Sequence, residues 1–141
     1  MNTVLFACTH NAGRSQMAAA FFARAADPAR ARALSAGTAP GPRVHAVVAE
    51  AMREVGIDLA GAAPALLTEA MARQAQLLVT MGCGETCPVV PGLAVEDWPL
   101  ADPKDRPLEE VRGIRDTIRA RVEALLAARG WQRTTIEEPS R

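Results

Sequence analysis

The sequence predicts a single-domain α/β fold, a four-stranded parallel sheet with helices on both faces. Three observations carry that expectation. Short apolar runs alternate with longer helical stretches, the pattern of parallel strands joined by crossover helices. The 141 residues are 49% hydrophobic and 23% charged, enough for one sizeable core and too few for a two-domain enzyme. No internal repeat and no linker divides the chain.

Each element has a local reason. Val4, Leu5, Phe6 and Ala7 form a continuous apolar run, as expected of a buried parallel strand, and it ends at Cys8. A helix over 16–23 follows in Ala-rich sequence, with Met17, Ala20 and Phe21 at helical spacing, until Asp27-Pro28 stops it. A second strand is expected over 31–38, closed by Gly37. A second amphipathic helix is expected over 44–55, with Val44, Val47, Val48, Ala51, Met52 and Val55 on one face and Gly56 just past its end. A short helix over 68–71 precedes a third strand over 76–81. Residues 82–92 are broken by Pro88 and Pro91-Gly92, 93–97 is the fourth strand, and 99–107 is a long turn. The longest helix spans 108–129, with Val111, Ile114, Ile118, Val122 and Leu125 as its stripe. The domain is expected to cover 1–131, and 132–141 to form a flexible tail.

Composition excludes several classes. Sixteen Lys and Arg balance sixteen Asp and Glu, Lys104 is the only lysine, and the arginines are scattered rather than clustered, so nucleic acid is not an expected partner. No apolar stretch approaches the roughly 20 residues that span a bilayer, and 4–7 is too short for a signal-peptide core, so no membrane association is expected and the expected location is the cytoplasm. In that reducing compartment three cysteines, Cys8, Cys83 and Cys87, favour reactive thiols or a metal site over a structural disulfide.

The first chemical signal is Cys8-Thr9-His10-Asn11-Ala12-Gly13-Arg14-Ser15, lying between a strand and a helix, where open α/β folds bind ligands. A loop wrapping there turns backbone N–H groups inward and adds the positive end of the next helix, a cradle for a tetrahedral oxyanion. Arg14 supplies a bidentate fork. The same field favours the thiolate of Cys8, and Ser15 can donate a hydrogen bond to its sulfur. Asn11 and Gly13 suit the positive φ values of a tight loop. His10, a single histidine in a loop, receives no catalytic role.

Two further signals fall on the same sheet edge. Trp98-Pro99-Leu100-Ala101-Asp102-Pro103 places a carboxyl group after the fourth strand, although Asp before Pro is also an ordinary turn opening. Beside the cysteine loop, Asp102 is suited to be a general acid for the oxygen that leaves when Cys8 attacks. Gly82-Cys83-Gly84-Glu85-Thr86-Cys87-Pro88 puts two thiols four residues apart, about 6 Å between Cα atoms in an ideal helix and near the upper range for a disulfide. Two inert core cysteines are the plainer alternative. A zinc site is a poor case, because three Cys and two distant His include no Cys-x-x-Cys pair. No metal and no cofactor is called for.

Cys8-x-x-Asn11-x-x-Arg14-Ser15, Ser35-Ala36-Gly37-Thr38, Val79-Thr80-Met81, Cys87-Pro88 and Asp102-Pro103 together resemble the arsenate reductases that share the fold of low-molecular-weight protein tyrosine phosphatases. The resemblance runs from about Asn2 to Arg129. It implies that Cys8 is the nucleophile, and that Arg14 and the loop from Thr9 through His10, Asn11, Ala12 and Gly13 to Ser15 bind the oxyanion. It further implies that Asp102 is the acid, and that Cys83 and Cys87 relay oxidation to the surface. Arsenate is the implied substrate, phosphate and sulfate are competing oxyanions, and thioredoxin is the implied reductant. Gly13 stands where many relatives carry a second loop cysteine, and His10 where many carry glycine. The short Cys83–Cys87 spacing also resembles an actinobacterial type, some of which use a low-molecular-weight thiol. No tyrosine follows Asp102-Pro103, whereas relatives that hydrolyse phosphotyrosine usually present aromatic residues there. Reduction needs two electrons from thiols, a requirement Cys83 and Cys87 fit. The competing readings are a phosphatase of phosphate monoesters and a non-enzymatic oxyanion or redox sensor; a sensor would have no use for Asp102.

Overall fold

The computed structural model describes residues 1–82 and 91–133. Strands β1 (Asn2–Cys8), β2 (Ala31–Gly37), β3 (Leu77–Thr80) and β4 (Ala94–Asp97) form one sheet in the order β2-β1-β3-β4, every neighbouring pair parallel. Helices α1 (Arg14–Ala25), α2 (Ala46–Arg53), α3 (Glu69–Gln74) and α4 (Leu108–Arg129) complete the described elements. The expected class therefore holds, with helices on both faces.

The alternation of β1 divides the core. Val4, Phe6 and Cys8 face Met17, Phe21 and Phe22 of α1, Met52 of α2 and Ile118, Val122 and Leu126 of α4. Leu5 and Ala7 face the opposite side, toward Leu78 and Ala72 of α3. Because both faces are covered, β1 has no polar position after Thr3, which is why its sequence reads as an unbroken apolar run. Strand β4 differs: it is one of the two sheet edges, and Val95 is 55% exposed. Trp98, just after it, is buried with its ring 5.8 Å from that of Phe6. That anchor places the 99–107 loop at the C-terminal edge of the sheet, and burying such an aromatic is worth about 2–3 kcal/mol.

Helix α4 starts after Pro107 and ends at Gly130, whose φ of 71° is the left-handed cap favoured by glycine. Its expected stripe holds, with Val111, Ile118, Val122 and Leu125 buried and Ile114 half-buried against the same core, and Leu126 and Arg115 are buried as well. Arg115 donates to the Ala51 carbonyl (2.9 Å) and to Glu54 (2.9 Å), so α2 and α4 are pinned by a cation as well as by apolar packing. In the segment expected as a tail, Gln132 bridges to Ala26 and the Arg133 N–H donates to the Ala25 carbonyl; 134–141 lie outside the described residues.

Candidate active site

The chain leaves β1 at Cys8 and enters α1 at Arg14, two residues earlier than the apolar spacing suggests, so Arg14 and Ser15 belong to the first helical turn. In between, every carbonyl turns outward. Cys8 O accepts from Thr38 N (3.3 Å), Thr9 O from Ala39 N (2.8 Å) and His10 O from Gly41 N (2.9 Å). Asn11 O accepts from Gln16 Nε2 (3.1 Å), Ala12 O from His45 N (3.0 Å) and Gly13 O from Met17 N (3.0 Å). A peptide unit whose C=O points out points its N–H in, so the N–H groups of 9–14 line the concave side. Those of 9–13 donate to no described residue. This is a nest of donors above the Cys8 sulfur, and what fits it is a tetrahedral anion.

The sulfur is held as a nucleophile needs it. Cys8 is buried, with Sγ 2.8 Å from Ser15 Oγ. Asn11 Oδ1 accepts the Ala65 N–H (2.9 Å), which fixes its amide so that Nδ2 donates to Ser15 Oγ (2.7 Å). Asn11 takes up one lone pair of Ser15 Oγ, and once Cys8 is a thiolate with no proton of its own to give, the Ser15 hydroxyl is the donor to the sulfur. Asn11 sits at φ 51°, the left-handed conformation expected of it.

Gly13 does not. Its φ is −146°, and its need for glycine is spatial: a Cβ there would stand 2.7 Å from Pro103 Cγ. Gly13 thus lets the Asp102-Pro103 turn close onto the loop. The Arg14 guanidinium, almost fully buried, bridges the same two segments, with Nη1 donating to the Leu100 carbonyl (2.9 Å) and Nη2 3.7 Å from Asp102 Oδ2. The Asp102 side chain is 43% exposed, open to a ligand and to solvent.

The structure therefore brings Cys8, the 9–15 loop, Arg14 and Asp102 to one place. Cys83 and Cys87 lie outside the described residues. Gly82, immediately before Cys83, is described: its carbonyl accepts from Thr9 Oγ1 (3.1 Å), its φ is +98°, and a Cβ on it would collide with the Arg14 guanidinium.

Sequence reasoning missed three supports. Gln16 is buried and donates to Asn11 O, Asn11 Oδ1 and Ala63 O, bracing the loop from below. Gly37 passes beneath the loop, where a Cβ would lie 2.5 Å from Thr9 O. Gly82 meets Arg14. The glycine that closes β2 and the one that follows β3 are legible in the sequence as chain-turning residues; which atoms they make room for is not. A cavity of about 530 Å³ adjoins the loop, lined by residues that include His10, Arg43, His45 and Lys104. Burial pushes the His45 imidazole below its ordinary value, opposed by the nearby Asp102 carboxylate.

The family model for low molecular weight phosphotyrosine protein phosphatase matches residues 3–135. The chain belongs to that family. Among its relatives, a Halobacterium salinarum protein is 37% identical over 121 residues, covering 83% of this chain and 85% of the relative. The glutaredoxin arsenate reductase of Synechocystis is 35% identical over 130 residues, covering 90% of this chain and 98% of the relative. Among solved structures, the Corynebacterium glutamicum thioredoxin-dependent arsenate reductase superposes with a TM-score of 0.78 at 34% identity over 91% of this chain. This chain spans 61% of that longer protein.

Proposed function

We propose that this chain is a cytoplasmic arsenate reductase, converting arsenate to arsenite by attack of Cys8 and a Cys83/Cys87 relay emptied by thioredoxin. Arsenate seats on the loop N–H groups and the Arg14 fork, and the Cys8 thiolate attacks arsenic as an arsenic-bound hydroxyl departs as water with a proton from Asp102. The Cys83 thiolate then attacks the Cys8 sulfur. The sulfur–arsenic bond breaks, its electron pair reduces As(V) to As(III), arsenite leaves, and a Cys8–Cys83 disulfide remains. Cys87 exchanges into it, freeing Cys8, and a dithiol reductant reduces the Cys83–Cys87 disulfide.

The observation that carries reduction over simple hydrolysis is the tie between Thr9 and Gly82, which brings the residue before Cys83 to the oxyanion loop. Relatives at 30–35% identity named arsenate reductases support the same substrate. Thioredoxin is favoured as reductant because a protein of this fold with that dependence aligns over nearly the whole chain.

The test is arsenate-dependent NADPH oxidation coupled through thioredoxin and its reductase. Wild type should turn over and Cys8→Ser should not. Turnover by Cys8→Ser would overturn the site; wild-type turnover with a small thiol but not with thioredoxin would overturn the reductant.

A further inference from the structure

A general acid has to hold one oxygen within about 3 Å of its leaving group, and a misplacement of about 1 Å can cost roughly 100-fold in rate. Asp102 meets that demand from outside any regular element. It lies midway between β4, which ends at Asp97, and α4, which starts at Leu108, and its side chain is 43% exposed. Beyond the Trp98 anchor, the loop is held through its carbonyl groups. Arg14 takes that of Leu100, and Arg106 takes the next two. Its Nε donates to the Asp102 carbonyl (2.7 Å), a short charge-assisted bond, and its N–H donates to the Pro103 carbonyl (3.2 Å).

Arg106 reaches Asp102 because the chain doubles back. Asp105 has φ 58°, the left-handed conformation that a short polar side chain tolerates, and it closes the 103–106 turn so that Arg106 returns to Asp102. From its other end the guanidinium donates through Nη1 to Glu110 Oε1 (2.9 Å), in the first turn of α4, where the helix N-terminus also favours a carboxylate. Open space borders Arg106 on two sides, the cavity beside His10 and a shallow groove along Gly113 and Ile114, so these two side-chain bonds rather than close packing set its position. The two oxygens of Asp102 are also divided. Oδ1 accepts the Lys104 N–H (3.0 Å), and Oδ2 lies 3.7 Å from Arg14 Nη2. An oxygen that already accepts an N–H is the poorer seat for a proton, so the transferable proton belongs on Oδ2.

We infer that Arg106, held in turn by Glu110, is a positioning residue for the acid: it clamps the Asp102 backbone so that Oδ2 stays beside Arg14, and it ties the acid loop to the first turn of α4. The inference rests on the assignment of Asp102 as general acid. In this role Arg106 binds no substrate and gives up no proton. Arg106 and Glu110 are each about half exposed, so their ion pair adds little to stability and its effect falls on rate.

The experiment is a double-mutant cycle on the full chain, read as the single-turnover rate of Cys8–arsenate adduct formation. Arg106→Ala should slow that step roughly tenfold, part of the roughly 100-fold that a general acid supplies, and should leave unchanged the concentration of inorganic phosphate that competes with arsenate. In an Asp102→Asn background the same substitution should change the rate less than about twofold, because no acid remains to be positioned. Glu110→Ala should also slow adduct formation, and Glu110→Gln, which keeps an acceptor for Nη1, should restore most of the rate. A wild-type rate in Arg106→Ala, or slowing of equal size in both backgrounds, overturns the inference, the second result marking a general disturbance of the fold. A weakening of phosphate competition as large as the rate loss assigns Arg106 to binding instead and overturns it too. Glu110→Gln as slow as Glu110→Ala removes Glu110 from the clamp. Failure of the underlying assignment looks different: Asp102→Asn would itself form the adduct at the wild-type rate, and the acid and its clamp would fall together.

Discussion

Asn11→Ala tests whether the loop is built as described, because one side chain holds the nest and aims Ser15 together. The substitution removes three side-chain hydrogen bonds, from Ala65 N at 2.9 Å, from Gln16 Nε2 at 3.2 Å and to Ser15 Oγ at 2.7 Å. At about 1 kcal/mol net each, these sum to about 3 kcal/mol. Alanine at φ 51° adds about 1 kcal/mol that asparagine avoids, for a total near 4 kcal/mol. For a chain of this size that corresponds to a fall in Tm of about 8–16 °C. Urea denaturation followed by circular dichroism measures it. Asn11→Gly loses the same bonds but accepts the left-handed conformation, so it should be about 1 kcal/mol less destabilised than the alanine variant. Both variants should also form the Cys8–arsenate adduct more slowly in single turnover, since the Ser15 hydroxyl then loses the donor that fixes it beside the sulfur. An alanine variant within 1 kcal/mol of wild type, or a glycine variant worse than alanine, would refute this account of the loop.

Asp102→Asn should bind oxyanion as wild type does yet slow adduct formation roughly 100-fold, and a single-turnover pH profile identical to wild type would reduce Asp102-Pro103 to an ordinary turn. Cys83→Ser should lose arsenate reduction while retaining weak hydrolysis of para-nitrophenyl phosphate. Cys87→Ser should instead complete one turnover and stop as a Cys8–Cys83 disulfide, read by mass spectrometry of the alkylated protein; normal turnover by both variants with thioredoxin would end the relay. Hydrogen bonds from Arg112, and then from Arg115, hold the Glu54 carboxyl down at about 2 from an ordinary 4.5. A carboxyl with a lowered folded-state value stabilises fully above pH 4.5 and loses its contribution as pH falls toward 2. Glu54→Gln should therefore be less stable than wild type at pH 7 and match it near pH 2, and a gap that persists at pH 2 would mean that packing, not charge, joins α2 to α4.

Features that depend on local pattern are legible in the chain alone. The unbroken run from Val4 to Ala7 announced a buried parallel strand, Asp27-Pro28 and Gly56 marked helix ends, and the spacing from Cys8 to Arg14 announced an oxyanion loop, because each follows from neighbours within a turn or two. What tertiary structure decided is everything that crosses the sheet. Gly13 needs to be glycine because Pro103, ninety residues later, packs against it, and not because of its own φ. Arg14 reaches across to Leu100 and Asp102, and Arg115 sits in an apolar stripe because the Ala51 carbonyl and Glu54 meet it there. The reason is physical: a residue's dihedral preferences and hydropathy are written in its own side chain, but steric room and hydrogen-bond partners belong to whatever the strand order β2-β1-β3-β4 brings alongside.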